Sequence, residues 1–182
     1  MLTLSPKSQR RFSQSSVNKR GSAMNEEALS RIVAEAVRSH TKPASITLAK
    51  AKKLAAKIEK KAAQMGVNAV VAIADTGARC ILCECMDNSY IASYDIATKK
   101  AYTAVALKMS TAELKKLAQP GESLYGIQFT NDGQIVVFGG GDPLEYGGGI
   151  IGGVGVSGGT EAEDTSLSAY GAGLVAEIMK GD

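Results

Sequence analysis

The chain of 182 residues contains no tryptophan, three phenylalanines and a single histidine, His40. With one imidazole available, neither a metal site built from several histidines nor a His–Asp catalytic pair is supported. No apolar run approaches the roughly 20 residues needed to cross a bilayer, and the first 23 residues lack the apolar centre of a secretory signal. These absences predict a cytoplasmic protein without a membrane partner, and they give little support to catalysis.

Acidic residues are missing from positions 1–23, which carry five basic residues: Lys7, Arg10, Arg11, Lys19 and Arg20. Without this segment the formal charge falls from +3 to about −2. Because nucleic-acid binding needs Lys and Arg concentrated on a folded surface, the balance argues against nucleic acid as a partner. The segment has no apolar period, so we expect it to be disordered. It resembles an organellar transit peptide, but an added expression leader or a start chosen upstream of Met24 is favoured.

Only three cysteines occur, Cys80, Cys83 and Cys85, and the odd number argues against a complete disulfide framework. Their segment alternates like a strand, in which residues i and i+3 point to opposite faces. On that geometry Cys83 and Cys85 share a face, whereas Cys80 lies on the other. The sequence therefore favours ordinary reduced cysteines over a metal or redox site.

Between positions 24 and 40 the apolar residues Leu29, Ile32, Val33, Ala36 and Val37 recur at the period of an amphipathic helix. A breaker at 41–45 separates this helix from the domain that we predict over 46–182. So short a helix needs an apolar partner, and packing on the following domain is one solution. The alternative is suggested by its similarity to the encapsulation peptides of bacterial microcompartments, which implies a shell protein as partner through residues 24–40.

The remaining chain alternates helical and strand patterns. Strands are predicted at 69–74, 79–86, 125–129, 134–138 and 150–156, and helices at 47–65, from Ser89 or Ser93 to Ser110, at 111–117 and from Glu161 onwards. A turn at Asn131-Asp132-Gly133 joins the third and fourth strands into a hairpin. Hairpins between helices predict an α+β fold with a central antiparallel sheet of about five strands flanked by helices.

Glycine is abundant, with 20 residues, and it is concentrated between Gly139 and Gly159. Glycine exposes backbone N–H groups and lets a ligand approach the main chain, so we place the candidate site there. Tight turns and close helix packing are the structural alternative. The stretch from Gly153 to Gly158 matches the dinucleotide fingerprint G-x-G-x-x-G literally, but it does not open the helix of a βαβ unit.

Several short segments together resemble the GlcG/HbpS-type family, which also forms the C-terminal domain of PduO proteins. They are Asp75-Thr76-Gly77, Met86-Asp87, residues 97–104, residues 140–144, residues 152–159 and Glu163-Asp164. The resemblance spans about 46–173 and is greatest to small stand-alone members encoded beside diol or glycerol dehydratase systems. It implies a profilin-like fold, a homo-oligomer, haem binding as in several members, and less directly a corrinoid association.

The resemblance also implies candidate site residues. An N-terminal histidine can ligate haem iron in relatives, and His40 is the one candidate, with Met86, Met109, Tyr125 or Tyr146 as substitutes. Lys99 and Asp164 are the charged groups expected to orient a ligand carboxylate or a subunit contact. The cofactor-binding set is completed by residues of the glycine-rich segment: Gly140, Gly141, Pro143, Gly152, Gly153 and Gly158.

Three functions follow from these observations. The first is a non-catalytic haem-binding or cofactor-handling protein, the second a microcompartment cargo or interaction module without a ligand, and the third an enzyme of unknown reaction. We rank them in that order.

Overall fold

The computed structural model describes residues 28–33 and 45–180. Its contacts divide the chain into two units, residues 1–42 and 43–182. In the first unit, residues 28–33 are helical, and Leu29, Ile32 and Val33 are each more than half exposed. The predicted leader at 1–23, most of the predicted linker at 41–45 and His40 lie outside the described residues, and so does the rest of the predicted helix over 24–40.

A four-stranded antiparallel sheet forms the centre of the second unit. Its strands are β1 (Val70–Ala74), β2 (Cys80–Cys85), β3 (Gly141–Tyr146) and β4 (Gly149–Ser157), in the order β2-β1-β4-β3. The apolar strand β1 is buried at every position because it lies between two strands and between two layers of helix. The α+β class and the antiparallel sheet are therefore confirmed.

Five helices flank the sheet: α1 (Leu48–Met65), α2 (Ile91–Leu107), α3 (Thr111–Leu117), α4 (Glu161–Gly173) and α5 (Val175–Lys180). The apolar stripe of α1 packs with α4 and α5 against one face of the sheet. The opposite face is covered by α2, through Ala97, Ala101 and Val105. None of the helices in these described parts is both long and apolar enough to cross a membrane.

Side-chain caps fix where α3 and α4 begin. Ser110 accepts from the backbone N–H of Glu113, and the Glu113 carboxylate accepts from the N–H of Ser110. Thr160 and Glu163 form the same reciprocal pair at the start of α4. Each pair satisfies two N–H groups that a helix terminus leaves without a partner.

The predicted hairpin over 125–138 is wrong, and the sheet has four strands instead of five. Asn131 and Asp132 adopt the positive φ angles of a turn, but the segment contains two short 3-10 turns, Ile127–Phe129 and Asn131–Gly133, in place of paired strands. The backbone N–H of Val136 donates to the Thr103 hydroxyl of α2. A helix side chain therefore replaces the strand partner that this segment would need.

Strand β3 was missed because its sequence begins with glycine and contains Pro143. It pairs with β4 alone and so lies at the edge of the sheet, where a proline without an N–H is tolerated.

Strand β2 contains a bulge that overturns the predicted positions of the cysteines. Ile73 pairs with Leu82, but its neighbour Ala74 pairs with Cys80, so Ile81 is an extra residue in the ladder. Ile81 and Leu82 both pack on the face covered by α1. Cys80, Cys83 and Cys85 consequently all lie on the face covered by α2, and the prediction that Cys80 points away was wrong.

Candidate ligand-binding site

A buried ion pair lies beneath the glycine-rich segment. The Lys100 ammonium of α2 is 2.8 Å from the Asp164 carboxylate of α4, and the two side chains are 0% and 6% exposed. The same ammonium donates to the carbonyl of Val156 at 2.8 Å and lies 5.0 Å from the centre of the Phe138 ring. Burial lowers the pKa of Lys100, and the hydrogen bond and charge of Asp164 oppose that shift. All the contacts of Lys100 are thus made inside the protein.

Glycines make room for this pair. A Cβ at Gly140 would lie 2.6 Å from the Lys100 nitrogen, and φ at Gly140 is +109°. A Cβ at Gly141 would lie 2.7 Å from the Lys100 carbonyl. The backbone N–H of Gly159 donates to the second oxygen of Asp164 at 3.0 Å. The glycines here therefore leave space for a buried ion pair. A phosphate-binding loop has no need of such a pair.

Above the ion pair lies an open cleft of about 370 Å³. We call it the glycine cleft, and its lining consists of Tyr90, Ala92, Ser93, Ile96, Phe138, Ser157, Gly158, Gly159, Glu161 and Asp164. A second, more polar pocket of about 440 Å³ adjoins it and shares Tyr90, Gly158 and Gly159. The shared residues lie at the start of α2 and between the end of β4 and the start of α4.

Acidic groups supply the charge at the cleft wall. The lining includes Glu161 and Asp164 and no Lys, Arg or His from the described residues. Hydrogen bonds from Lys115 at 2.6 Å and from the N–H of Gly139 at 2.9 Å hold the pKa of Glu161 below its usual range. In the adjoining pocket, hydrogen bonds from the N–H and hydroxyl of Thr160 hold the pKa of Glu163 low. A ligand group that enters here meets ionised acceptors at neutral pH.

The structure brings together only part of the predicted site. Asp164 and Gly158 line the glycine cleft, and Gly140 lies beside Lys100. Gly141 packs against the Lys100 carbonyl and donates its N–H to Thr111.

Pro143, Gly152 and Gly153 lie away from the cleft. Pro143 faces a separate pocket with Ser110, Glu113 and Glu145. Gly152 packs against the carbonyl of Ala74, and Gly153 packs under Ala101 of α2.

Lys99 is not among the residues that line the glycine cleft. Its ammonium bonds to Asp95, one turn earlier on α2, at 2.9 Å. The missed residue is Lys100, and the helical period contains the signal that finds it. Lys100 lies three residues from Ala97 and four from Ala104, on the buried stripe of α2, whereas Lys99 lies off that stripe. Tyr90, Phe138 and Glu161 were also missed, because only the folded chain brings them to the glycines.

The substitute haem ligands lie elsewhere. The Met86 sulfur accepts from the N–H of Ala69 and packs on the core, and Tyr146 pairs with Gly149 at the opposite end of β4 from Ser157. Met109 and Tyr125 are absent from the lining of the glycine cleft. Among the residue types that ligate haem iron, the described lining offers Tyr90 alone.

The fit of the cleft to a tetrapyrrole is determined by shape and polarity. Ile96, Phe138 and Ala92 give it apolar walls, and Gly158 and Gly159 leave one edge without side chains. Such a cleft suits the apolar edge of a flat macrocycle. The carboxylates of the cleft would repel the propionates of a haem. The lining residues therefore fit the ring when the propionates face solvent.

A family model described as "Haem degrading protein HbpS-like" matches residues 46–172. The chain belongs to this family. The match covers the strands, the ion pair and the glycine cleft, and it confirms the GlcG/HbpS-type resemblance.

Two relatives show where such domains occur. The uncharacterised 15.0 kDa protein in the dhaT-dhaS intergenic region of Citrobacter freundii is 47% identical over 125 residues, 69% of this chain and 88% of that protein. Corrinoid adenosyltransferase PduO of Salmonella typhimurium is 40% identical over 108 residues, 59% of this chain and 32% of that enzyme. The chain therefore spans about a third of PduO, and the resemblance does not extend to the rest.

Solved structures agree on the fold. Klebsiella pneumoniae protein ORFY has a TM-score of 0.72 at 39% identity and covers 78% of this chain and 96% of its own. A complex of PduOC with haem has a TM-score of 0.68 at 34% identity, covering 71% and 94%. A double mutant of Streptomyces reticuli HbpS has a TM-score of 0.65 at 26% identity, covering 75% and 91%.

Proposed function

We propose that this chain binds haem, or a related tetrapyrrole, in the glycine cleft and handles it without catalysing its conversion. The observation that carries the proposal is the cleft itself, which combines apolar walls with a side-chain-free glycine edge. The similarity to PduOC, which was solved as a haem complex, supports haem as the ligand. A corrinoid is the second ligand that we propose, because the chain also resembles corrinoid adenosyltransferase PduO.

Each part of the cleft has a distinct role in this proposal. Phe138 and Ile96 would contact the macrocycle face, and Gly158 and Gly159 would let its edge approach the backbone. Tyr90 would offer an axial oxygen from the cleft wall, and His40 is the candidate for an axial nitrogen that the sequence suggests. Haem, when bound, supplies a redox-active iron whose potential depends on that axial ligand.

The charge of the cleft sets the orientation of the ring. Lys100 is committed to Asp164 and Val156, so it cannot also pair with a propionate. Propionates directed inward would face Glu161 and Asp164, whereas propionates directed outward remain solvated. The amide groups of a corrinoid would instead donate to those carboxylates. We therefore expect haemin and its dimethyl ester to bind with dissociation constants within about tenfold of each other.

Titration of the reduced full-length chain with haemin tests the proposal. We expect a saturable Soret band and, for Phe138→Ala, affinity lower by about fivefold or more, because an aromatic contact worth about one to three kcal/mol is lost. Phe129→Ala is the matched control, since this ring is 84% exposed and does not line the cleft. No saturable band, or equal losses from both variants, would contradict binding in the cleft.

The axial ligand is tested by comparing His40→Ala with Tyr90→Phe in the same titration. The variant that removes the ligand should shift the Soret and visible bands, and the other should leave them in place. If neither variant changes the spectrum, both residues are excluded as ligands.

Handling and degradation differ in what happens after binding. The family description names haem degradation, whereas the single histidine and the missing catalytic pair favour a passive role. With ascorbate as reductant, we expect the Soret band of the complex to persist as long as that of free haemin. Faster bleaching with release of iron would show that this chain is an enzyme.

A second proposed role is cargo of a bacterial microcompartment, delivered from the cytoplasm through residues 24–40. The supporting observation is that residues 28–33 are helical and expose Leu29, Ile32 and Val33. Such a stripe suits docking on an apolar groove of a shell protein. Deleting 24–40 should abolish co-purification with shells and leave the unfolding of the domain unchanged; shell association that survives the deletion would contradict this role.

We also propose that the chain forms a homo-oligomer. At the start of α2, Tyr90, Ile91 and Tyr94 are 72%, 98% and 56% exposed, and Tyr90 lines the cleft. A neighbouring subunit at this patch would complete the open side of the cleft. Light scattering should show an oligomer that Ile91→Lys dissociates; a monomeric wild-type chain would contradict this proposal.

A further inference from the structure

The three cysteines form a row on one face of the edge strand β2. Register places Cys80, Cys83 and Cys85 opposite Ala74, Ala72 and Val70, whose side chains all face α2. The bulge at Ile81 is the reason that Cys80 joins this face. Cys80 and Cys85 are exposed, Cys83 is half-buried, and all three are free thiols.

Cys83 and Cys85 are the closest partners in this row. They lie two residues apart on the same face of β2, opposite Ala72 and Val70. Burial and the neighbouring thiols raise the pKa of Cys83 to about 12, so the free thiol is protonated and a poor nucleophile at neutral pH. A metal ion can still displace that proton, because metal binding is coupled to deprotonation of its ligands.

The spacing of these two residues disfavours a disulfide and suits a bridging ion. Residues i and i+2 of a strand lie about 6.7 Å apart with parallel Cα–Cβ bonds, whereas a disulfide needs Cβ atoms about 3.8 Å apart. Two thiolates that each lie about 2.3 Å from one metal ion need sulfur atoms only about 4.6 Å apart, and two side chains on the same face reach this separation by rotating toward each other. The pair therefore reaches a shared ion without a change in the strand.

The number of available ligands selects the type of metal. Zinc takes four ligands in a structural site, and among the described residues no group of three or more Cys, His, Asp or Glu side chains converges to hold a metal. Soft thiolates favour Cu(I), which accepts two of them in a linear arrangement. A two-thiolate site that is open to solvent on an edge strand fits that ion.

We propose that Cys83 and Cys85 form a two-coordinate binding site for Cu(I), separate from the glycine cleft. Each thiol releases its proton to solvent as its sulfur binds the ion, and no oxidation or reduction takes place. Both ligands belong to β2, so the ion would join two residues of one strand on the sheet face that α2 covers.

The test uses the reduced full-length chain and Cu(I) supplied as its acetonitrile complex, with bathocuproine disulfonate as a coloured competitor for the ion. We expect one Cu(I) per chain and a thiolate-to-copper absorption band in the ultraviolet. Cys83→Ser and Cys85→Ser should each weaken binding by about 100-fold or more, since each removes one of two ligands. Cys80→Ser is the matched control and should bind like the wild type.

Two outcomes would overturn the proposal. One is Cu(I) affinity that is the same in Cys83→Ser, Cys85→Ser and the wild type, which would place the ion elsewhere in the chain. The other is equal weakening by Cys80→Ser. Far-ultraviolet circular dichroism of each variant separates loss of a ligand from loss of the fold, and Cys83→Ala replaces Cys83→Ser where the serine variant unfolds.

Discussion

Glycines occur in two regions of this molecule, and their surroundings differ. In the middle of β4, Gly153 and Gly155 lie under α2, where an added Cβ would meet the helix backbone. Around the ion pair, Gly140 and Gly159 instead meet the side chains or carboxylate of Lys100, Asp164 and Glu163. The first group allows two elements to approach, and the second accommodates a buried charge beside a cleft.

This difference determines what each region contributes. Contacts at the β4 glycines are between backbones, so they stabilise the fold and present nothing to a ligand. Near the ion pair, the N–H groups of Gly139 and Gly159 donate to the carboxylates of Glu161 and Asp164. The geometry of these two residues, the cleft-side glycines, therefore depends on charge. Substitutions that remove charge should therefore affect the glycines around the ion pair alone. Substitutions that add volume under α2 should instead affect the β4 glycines.

The largest expected effect is that of Lys100→Met. The change leaves the buried Asp164 side chain without its partner, which costs about 3 to 5 kcal/mol in the free energy of unfolding. Urea denaturation followed by circular dichroism measures this loss. Adding Asp164→Leu should restore most of it, because the buried carboxyl group is then gone.

Lys99→Met is the matched control on the same helix. Its ammonium pairs with Asp95, whose side chain is 64% exposed, so we expect a loss of about 1 kcal/mol or less. Similar losses from the two lysine variants would show that the buried pair carries no special share of the stability.

Added volume under α2 is expected to have the next largest effect. In Gly155→Ala the new Cβ would collide with the carbonyl of Ala97 and lie 2.6 Å from the Ala101 nitrogen. Because both are backbone atoms of a helix, α2 must shift, and we expect a loss of about 1 to 3 kcal/mol. Thermal unfolding measures it. Gly173→Ala, where nothing lies within 4 Å of the new atom, should cost nothing, and an unchanged Gly155→Ala would refute the packing role.

Much of the fold was accessible from periodicity because local and tertiary preferences agree there. The apolar stripe of α1, its Thr47 cap and its Gly66 terminus all predict the observed helix. The prediction for 125–138 failed because the pattern is that of a strand, whereas local turns accept several of the backbone N–H groups and Thr103 of α2 accepts that of Val136. Propensity does not reveal which side chain will substitute for a missing strand.

The site was harder to predict, since it depends on which residues meet. The glycine-rich segment marked the correct region, but the sequence did not show that Lys100 is buried under it. Nor did alternation predict the Ile81 bulge, which moved Cys80 to the face of the other cysteines. A one-residue shift in register reverses every later side chain, so a parity argument fails wherever a bulge occurs.

The smallest expected effect is a response to acid confined to the cleft-side glycines. Hydrogen bonds from Lys115 and from the N–H of Gly139 hold the pKa of Glu161 below its ordinary value of 4.5. A carboxyl with a lowered pKa in the folded state stabilises it fully above 4.5, and this contribution is lost as pH falls through the folded value. Protonation weakens the acceptor of the Gly139 N–H, so its hydrogen-exchange protection factor should fall between pH 6 and pH 3.

In Glu161→Gln the protection of Gly139 should no longer depend on pH in this range. The Gly155 amide, which is held by strand pairing and packing, should keep its protection throughout. An equal fall at Gly139 and Gly155 would mean that acid loosens the whole sheet, and that the two glycine regions do not respond separately to charge.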